Sequence, residues 1–283
     1  MKITDNIKHL IQMTLAEDIG DGDHSSQSCI PDSARGEMKL LVKQDGILCG
    51  VDVAREVLRQ VDDSIQMEQF MHDGDAIRKG DVVFKLKGPA SKMLTAERTV
   101  LNFMQRMSGI ATTTHKYVEM VKDTGVTLLD TRKTTPNMRI FEKYAVKVGG
   151  ASNHRFGLFD MMMLKDNHID FAGGIEKAID AAINYQKAHG LDLKIEVETR
   201  SLDDVRRVLA HGGVHRIMFD NFTPEQVREG VQLVNHRFET EASGGITKET
   251  LYDYAATGVD FISIGAFTHQ ILSLDLSLKT VIC

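Results

Sequence analysis

From Val126 to Gly265, short apolar runs alternate with amphipathic stretches, and this alternation limits the fold more than any other feature of the chain. VTLLD (126–130), MMML (161–164), LKIEVE (193–198), RIMFD (216–220), FETEAS (238–243) and DFISIG (260–265) read as strands, and AVKVGG (145–150) marks the start of another. Helical spacing predicts helices over Phe171–His189, where Ile175, Ala178, Ile179 and Ala182 share a face, and over Leu202–His211, Pro224–Asn235 and Lys248–Thr257. A repeat of short strands and helices implies a parallel sheet, because each helix carries the chain back so that the next strand runs the same way. Six or seven such strands predict an incomplete (β/α) barrel.

The residues just after each strand are chemically selective. Thr131, Arg132 and Lys133 come after the first run, and Lys165 comes after MMML. The next two runs end in Glu198 and Asp220, and the last two lead into Ser243-Gly244-Gly245 and Gly265-Ala266. In a parallel barrel all these ends share the face where substrates bind. Arg132, Arg155 and Lys165 can hold carboxylates or phosphates, arginine through its bidentate fork. Glu198 and Asp220 are hard oxygen ligands suited to Mg²⁺ that also touches phosphate, although either could instead cap the next helix. Ser243 to Gly245, just before a predicted helix, offers backbone N–H groups to a phosphate. His154 can donate to an acidic substrate, although a lone histidine is more often structural. From Asp130 to Lys165 seven cations (Arg132, Lys133, Arg139, Lys143, Lys147, Arg155, Lys165) face three acids (Asp130, Glu142, Asp160), a local +4 in a chain of net charge −6. Such a cluster can be a solvated face, but Gly149, Gly150 and Gly157 beside it would let backbone approach an anionic ligand. Together these residue types describe a substrate with several carboxylates and a phosphorylated, Mg²⁺-bound co-substrate.

The first half reads differently. Residues 3–17 form an amphipathic helix on Ile3, Ile7, Leu10, Ile11 and Leu15. EDIGDGDHSS (17–26) comes next as a loop whose acids could bind a metal or serve as turn and helix caps. Gly36–Val42 and Gly46–Gly50 read as strands, Asp52–Val61 as a helix and Gln66–Gly88 as strands again. DGDAIRKGDVVFKLKG (73–88) resembles the hairpin of biotinyl and lipoyl modules but lacks their lysine-bearing tripeptide, which argues against a tethered-cofactor carrier. Residues 90–122 read as two helices. Val100, Leu101, Met104 and Met107 form a core stripe, Arg98 falls on another face as a solvated helix position, and Ser108-Gly109 interrupts the pattern. The expected division is an N-terminal α/β sandwich domain over 1–110 and the α/β barrel over 111–269, with the tail 270–283 packing back on the first.

Composition narrows the function classes. The chain is 42% hydrophobic and 26% charged, as an ordinary globular protein is. Its negative charge argues against nucleic acid or anionic membranes as partners, and no run approaches the ~18 apolar residues of a membrane span. The first twenty residues carry charges throughout, unlike a signal peptide. Cys29, Cys49 and Cys283 are odd in number, far apart and in no CxxC pattern, which predicts reduced thiols in the cytoplasm.

The motifs EDIGDGDHSS, AERTVLNFMQRMSGIAT, LDTRKTTPNMR, EKYAVKVGGASNHRFGLFDMMMLKDNHI, EVE, FDN, EASGGI and GVDFISIGAFTH resemble the quinolinate phosphoribosyltransferase family, in the same order and over nearly the whole chain. The resemblance implies transfer of phosphoribose from phosphoribosyl pyrophosphate to quinolinate, with release of CO₂ and pyrophosphate. It implies a homodimer in which Arg98 reaches the partner's quinolinate. It implies that Thr131, Arg132, His154, Arg155 and Lys165 line the quinolinate pocket, and that Lys133 and Lys165 contact phosphoribosyl pyrophosphate. Glu198 and Asp220 would serve the ribose and Mg²⁺, and Ser243, Gly244, Gly245, Gly265 and Ala266 the 5′-phosphate. Asn137 replaces a glycine, Ser25 a threonine, and Phe267 and Gln270 also depart from the family pattern; none removes a charge the reaction needs. The alternatives are a phosphoribosyltransferase for another acid such as nicotinate, a class I aldolase-like barrel using Lys165 as Schiff-base nucleophile, and a non-catalytic phosphate-binding module. The cationic cluster around Lys165 favours anion binding over Schiff-base chemistry, and a bare phosphate module leaves Glu198 with Asp220 unexplained.

Overall fold

A computed structural model describes residues 1–281, so Cys283 lies outside the described residues. Its elements are α1 (Asp5–Ile19), α2 (His24–Cys29), β1 (Arg35–Val42), β2 (Gly46–Ile47), α3 (Val51–Val61), β3 (Gln66–Gln69), β4 (Ala76–Ile77), β5 (Val82–Pro89), α4 (Ala90–Val121), β6 (Thr127–Leu129), α5 (Arg139–Val148) and β7 (Met162–Leu164). They continue with α6 (Asp166–Ala172), α7 (Ile175–His189), β8 (Ile195–Thr199), α8 (Leu202–His211), β9 (Arg216–Asp220), α9 (Pro224–Val234), β10 (Glu239–Ser243), α10 (Leu251–Ala255), β11 (Phe261–Ser263), α11 (Ala266–His269) and β12 (Leu276–Thr280). Two compact units result. The first holds Met1–His115, Thr134–Gly150 and the chain from Phe267 onward; the second holds Lys116–Lys133 and Ala151–Ala266.

The first unit is built on an antiparallel sheet of order β12-β1-β5-β3, with β2 and β4 paired beside it. Alternation along β1 buries Met38, Leu40 and Val42, and α1 and α3 add Ile7, Ile11, Val53, Val57 and Leu58 to the core. The tail returns as β12, with Leu278 opposite Leu40. In the acidic loop Asp23 is the N-cap of α2, accepting the Ser26 amide, and Asp18 accepts the Thr99 hydroxyl, so these acids act as caps and hydrogen-bond acceptors.

Three sequence expectations need correction here. Residues 90–121 form one helix of 32 residues rather than two. Ser108 and Gly109 serve packing, not a break: the buried Ser108 hydroxyl bridges the Cys49 amide and carbonyl, and a Cβ on Gly109 would lie 2.3 Å from the Leu272 carbonyl oxygen. AVKVGG is the end of helix α5 rather than a strand; buried Phe141, Glu142, Ala145 and Val146 form a helical stripe, and Phe141 packs on Phe103 with ring centroids 4.9 Å apart. The basic island therefore divides, because Arg139, Lys143 and Lys147 belong to the first unit and Arg132, Lys133, Arg155 and Lys165 to the second. Gly149 serves close packing as well, since a Cβ there would lie 2.6 Å from Thr114 and from the Ala111 carbonyl oxygen.

The second unit carries the parallel sheet, of order β6-β11-β10-β9-β8-β7. Ser152 adds a single bridge to Leu129 beyond β6. Among the described residues β7 pairs with β8 alone, so the barrel stays incomplete. Helices α8 and α9 bury Val205, Val208, Val227 and Val234. The predicted helix over 171–189 is two helices, α6 and α7, because Gly173 and Gly174 take φ of 83° and 128° between them.

Candidate active site

A parallel sheet sends every strand's C-terminal end to one edge, and the strand order decides which groups become neighbours there. Ser243 and Gly265 close the adjacent strands β10 and β11, so the two glycine-bearing turns lie side by side. Asp220 and Glu198 come from the next two strands, β9 and β8, and the cations of Thr131–Lys133 and Lys165 leave the outermost strands, β6 and β7. A flat sheet would hold those outer strands apart, but the electrostatics place their ends together. Asp220, raised by burial, is also pulled down by both Lys165 and Lys133. Arg155 is pulled down by burial and by Arg132, and up by Glu196. Glu198 is raised by burial and then by Asp220, against Lys165. The sheet is therefore curled, and its rim gathers two cationic edges around the buried Glu198 and the half-buried Asp220.

Local structure supports each position. The Thr131 hydroxyl accepts the Lys133 amide at 3.0 Å, bending the chain sharply after β6. Lys165 is the N-cap of α6, its amide donating to His168 Nδ1 at 3.0 Å. The Gly244 turn rests on the Asn221 turn: a Cβ at Gly244 would lie 2.3 Å from Asn221 Oδ1, and Gly244 and Gly245 have φ of 93° and 62°. Helix α10 begins only at Leu251, so this turn is not a helix N-terminus as the sequence spacing implied; what it offers a phosphate is exposed backbone in a left-handed conformation.

One expected pocket residue is tied into the interior. The His154 side chain is only 6% exposed, and its Nε2 lies 3.0 Å from Glu196 and 3.4 Å from Glu241, both fully buried. Its Nδ1 accepts the Arg155 amide at 2.7 Å, so both ring nitrogens are engaged inside the protein. Burial disfavours the imidazolium, but the two glutamates outweigh it and shift His154 upward. Burial and Glu241 shift Glu196 upward as well, against the pull of His154. Arg216 lies beneath, Nη1 2.7 Å from Glu241 and Nη2 3.0 Å from Glu239, with its guanidinium over the Phe261 ring. Sequence reading missed Glu196, Glu241 and Arg216. The signal was present as charges at alternate positions, Glu196 with Glu198 and Glu239 with Glu241, in strands otherwise apolar.

The chain matches known proteins along nearly its whole length. The quinolinate phosphoribosyl transferase C-terminal domain matches residues 110–279, and the N-terminal domain matches 23–108. This chain belongs to the quinolinate phosphoribosyl transferase family. It is 44% identical to quinolinate phosphoribosyltransferase [decarboxylating] 1b of Nicotiana tabacum, over 98% of this chain and 83% of that one. It is 42% identical to the probable nicotinate-nucleotide pyrophosphorylase [carboxylating] of Bacillus subtilis, over 98% and 94%. The solved nicotinate-nucleotide pyrophosphorylase of Francisella tularensis superposes with a TM-score of 0.93 at 39% identity, over 99% of this chain and 98% of that one. The small antiparallel sheet and the parallel six-stranded sheet are thus the architecture of this family. Within it, the second unit of this quinolinate phosphoribosyl transferase family member brings Thr131, Arg132, Lys133, Lys165, Glu198, Asp220, Ser243, Gly244, Gly245, Gly265 and Ala266 to one rim, with Arg155 beside Arg132. Arg98 is exposed on α4 in the first unit. Asn137 takes φ 62°, a left-handed conformation that asparagine tolerates better than most residues with a side chain.

Proposed function

We infer that this chain is a decarboxylating quinolinate phosphoribosyltransferase, forming nicotinate mononucleotide for pyridine nucleotide and NAD biosynthesis. The observation that carries the reading is the curled rim, where cations from the outer strands flank two acids and two glycine turns. Arg132, Arg155 and Lys165 hold the diacid and orient its ring nitrogen, and positioning supplies much of the rate. The backbone of Ser243–Gly245 and Gly265–Ala266 holds the 5′-phosphate, and Lys133 with Lys165 offsets charge on the departing pyrophosphate. The ring nitrogen bonds to the ribose anomeric carbon as the bond to pyrophosphate breaks. The cationic ring then takes up the electron pair of the C2–carboxylate bond as CO₂ leaves, and C2 gains a proton.

Glu198 and Asp220 fit a divalent ion: they are oxygen donors on adjacent strands, the first buried and the second half-buried, and each is held above its ordinary pKa range by burial. Mg²⁺ there would relieve their repulsion and neutralise pyrophosphate charge. A homodimer with shared sites also belongs to this reading, with Arg98 reaching the partner's diacid. Phe171, 92% exposed on the second unit after β7, is apolar surface a second copy would cover. A reducing, cytoplasmic setting fits the free thiols of Cys29 and Cys49. The test is to supply quinolinate, phosphoribosyl pyrophosphate and Mg²⁺ and measure CO₂ and nicotinate mononucleotide, expected in equal amounts. Product from nicotinate in place of quinolinate, without CO₂, would replace this reading by that of the related transferase. Mixing Arg98→Ala and Lys165→Ala subunits should restore activity; none in verified heterodimers would confine each site to one chain.

A further inference from the structure

We propose that Glu196, Glu241 and Arg216 form a buried charge cage that positions the imidazole of His154 and, through it, the backbone of Arg155. The cage and His154 are positioning residues; Arg155 is the one that meets the diacid. The proposal rests on the functional reading above for the identity of the ligand, but its geometry stands alone. Arg155 opens a loop whose next residues face solvent: Phe156, Leu158 and Phe159 are exposed, and Asp160 satisfies the Phe156 and Gly157 amides within the loop itself. One of its inward tethers, beside the His154 amide on Asp130 at 2.9 Å and Arg155 Nη1 on the Met161 carbonyl at 3.3 Å, is the 2.7 Å bond from the Arg155 amide to His154 Nδ1, and the far side of that ring meets Glu196 and Glu241.

The interior here departs from what stability alone would select. Glu196 is fully buried with no well-aligned donor on either oxygen, so its compensation is charge rather than hydrogen bonding. An apolar pair in its place would generally be no worse for the fold. What an apolar pair could not supply is a fixed partner for His154 and a counter-charge below Arg132 and Arg155, which repel each other. Arg216 offsets one of the two glutamate charges and leaves the cage net negative, and Lys194 pairs with the outer Glu239 at 3.0 Å. The same three groups, His154, Glu196 and Glu241, have the donor set of a divalent metal site, but with Nδ1 accepting the Arg155 amide the ring proton sits on Nε2, which leaves no lone pair there for a metal.

Glu196→Gln and Glu241→Gln in the full chain test this. The first readout is trypsin cleavage of the Arg155–Phe156 bond, followed by mass spectrometry without substrate. Cleavage at that bond should accelerate by about fivefold relative to other sites as the loop loosens. The second is steady-state kinetics: KM for quinolinate should rise about tenfold while KM for phosphoribosyl pyrophosphate stays within about twofold. Glu241→Asp, which keeps the charge, should recover part of both, and it carries the test if Glu241→Gln does not fold. Unchanged cleavage in the folded variants would overturn the cage, and equal rises in both KM values would overturn its link to the diacid. If the wild type fails to use quinolinate, the functional reading falls while the trypsin result still decides the cage. A stoichiometric divalent ion in the purified protein, lost in His154→Gln, would overturn the cage in favour of a metal centre.

Discussion

The two units treat charge in opposite ways. In the antiparallel sheet of the first, β1 alternates buried apolar with solvent-facing residues, and its charges pair at the surface, as Lys87 does with Glu37 at 3.0 Å. In the parallel sheet of the second, β8 is buried at every position yet carries Glu196 and Glu198 on one face. Helices cover the outer face of such a sheet, so polar groups on the inner face have no bulk water to turn to. They must find partners inside or be kept for a ligand. The deeper layer, Glu196 and Glu241, has found partners in His154 and Arg216. At the rim, Asp220 instead adds its repulsion to the burial that already raises Glu198. The first unit buries charge at Glu142, but there Arg106 answers it at 2.6 Å and the same carboxylate takes the Thr135 amide, a structural use.

The largest expected effect is at the rim. Lys165→Ala should lower kcat by ~10²–10³, the usual loss when one group that stabilises developing charge is removed. A fall of less than tenfold in CO₂ release would make Lys165 an ordinary surface cation and erase the contrast. Gly244→Ala comes next: its φ of 93° and the 2.3 Å approach to Asn221 Oδ1 should cost ~1–3 kcal/mol of local strain. Affinity for phosphoribosyl pyrophosphate, measured by calorimetry, should fall more than affinity for quinolinate. Equal losses would detach this turn from the phosphate.

The acids give a pH test. A carboxylate whose folded pKa is raised holds its proton more tightly in the folded state, so the fold loses stability as pH rises from the ordinary carboxylate value through the raised one. Glu198 and Asp220 are both of this kind. Mg²⁺ should therefore raise the melting temperature more at about pH 7 than at about pH 5, and an increment independent of pH would remove these acids as its site. The smallest effect belongs to the first unit's surface: Lys87→Ala should change stability in urea by at most ~1 kcal/mol and leave turnover unchanged. A larger change would mean that the surface pair is coupled to the site and that the contrast between the units is drawn too sharply.

Much of this protein was written in one dimension. The strand–helix period after Val126 determined a parallel sheet, and the residue after each strand determined what its rim would hold, because in such a sheet direction alone assigns every strand end to one side. Local chemistry was legible too: Asp23 caps α2 and Asn137 takes a left-handed turn, as their side chains favour. Tertiary structure decided the rest. AVKVGG contains valines that suit a strand, yet it is helix because its stripe packs on Phe103, a contact far away in sequence. Ser108-Gly109 reads as a break, yet it lies inside one long helix because the hydroxyl and the missing Cβ meet distant backbone. Above all, nothing near His154 in the sequence announced its partners Glu196 and Glu241, 42 and 87 positions further along. A charge's partner depends on which strands become neighbours across the curl of the sheet, and that is settled only when the whole sheet forms.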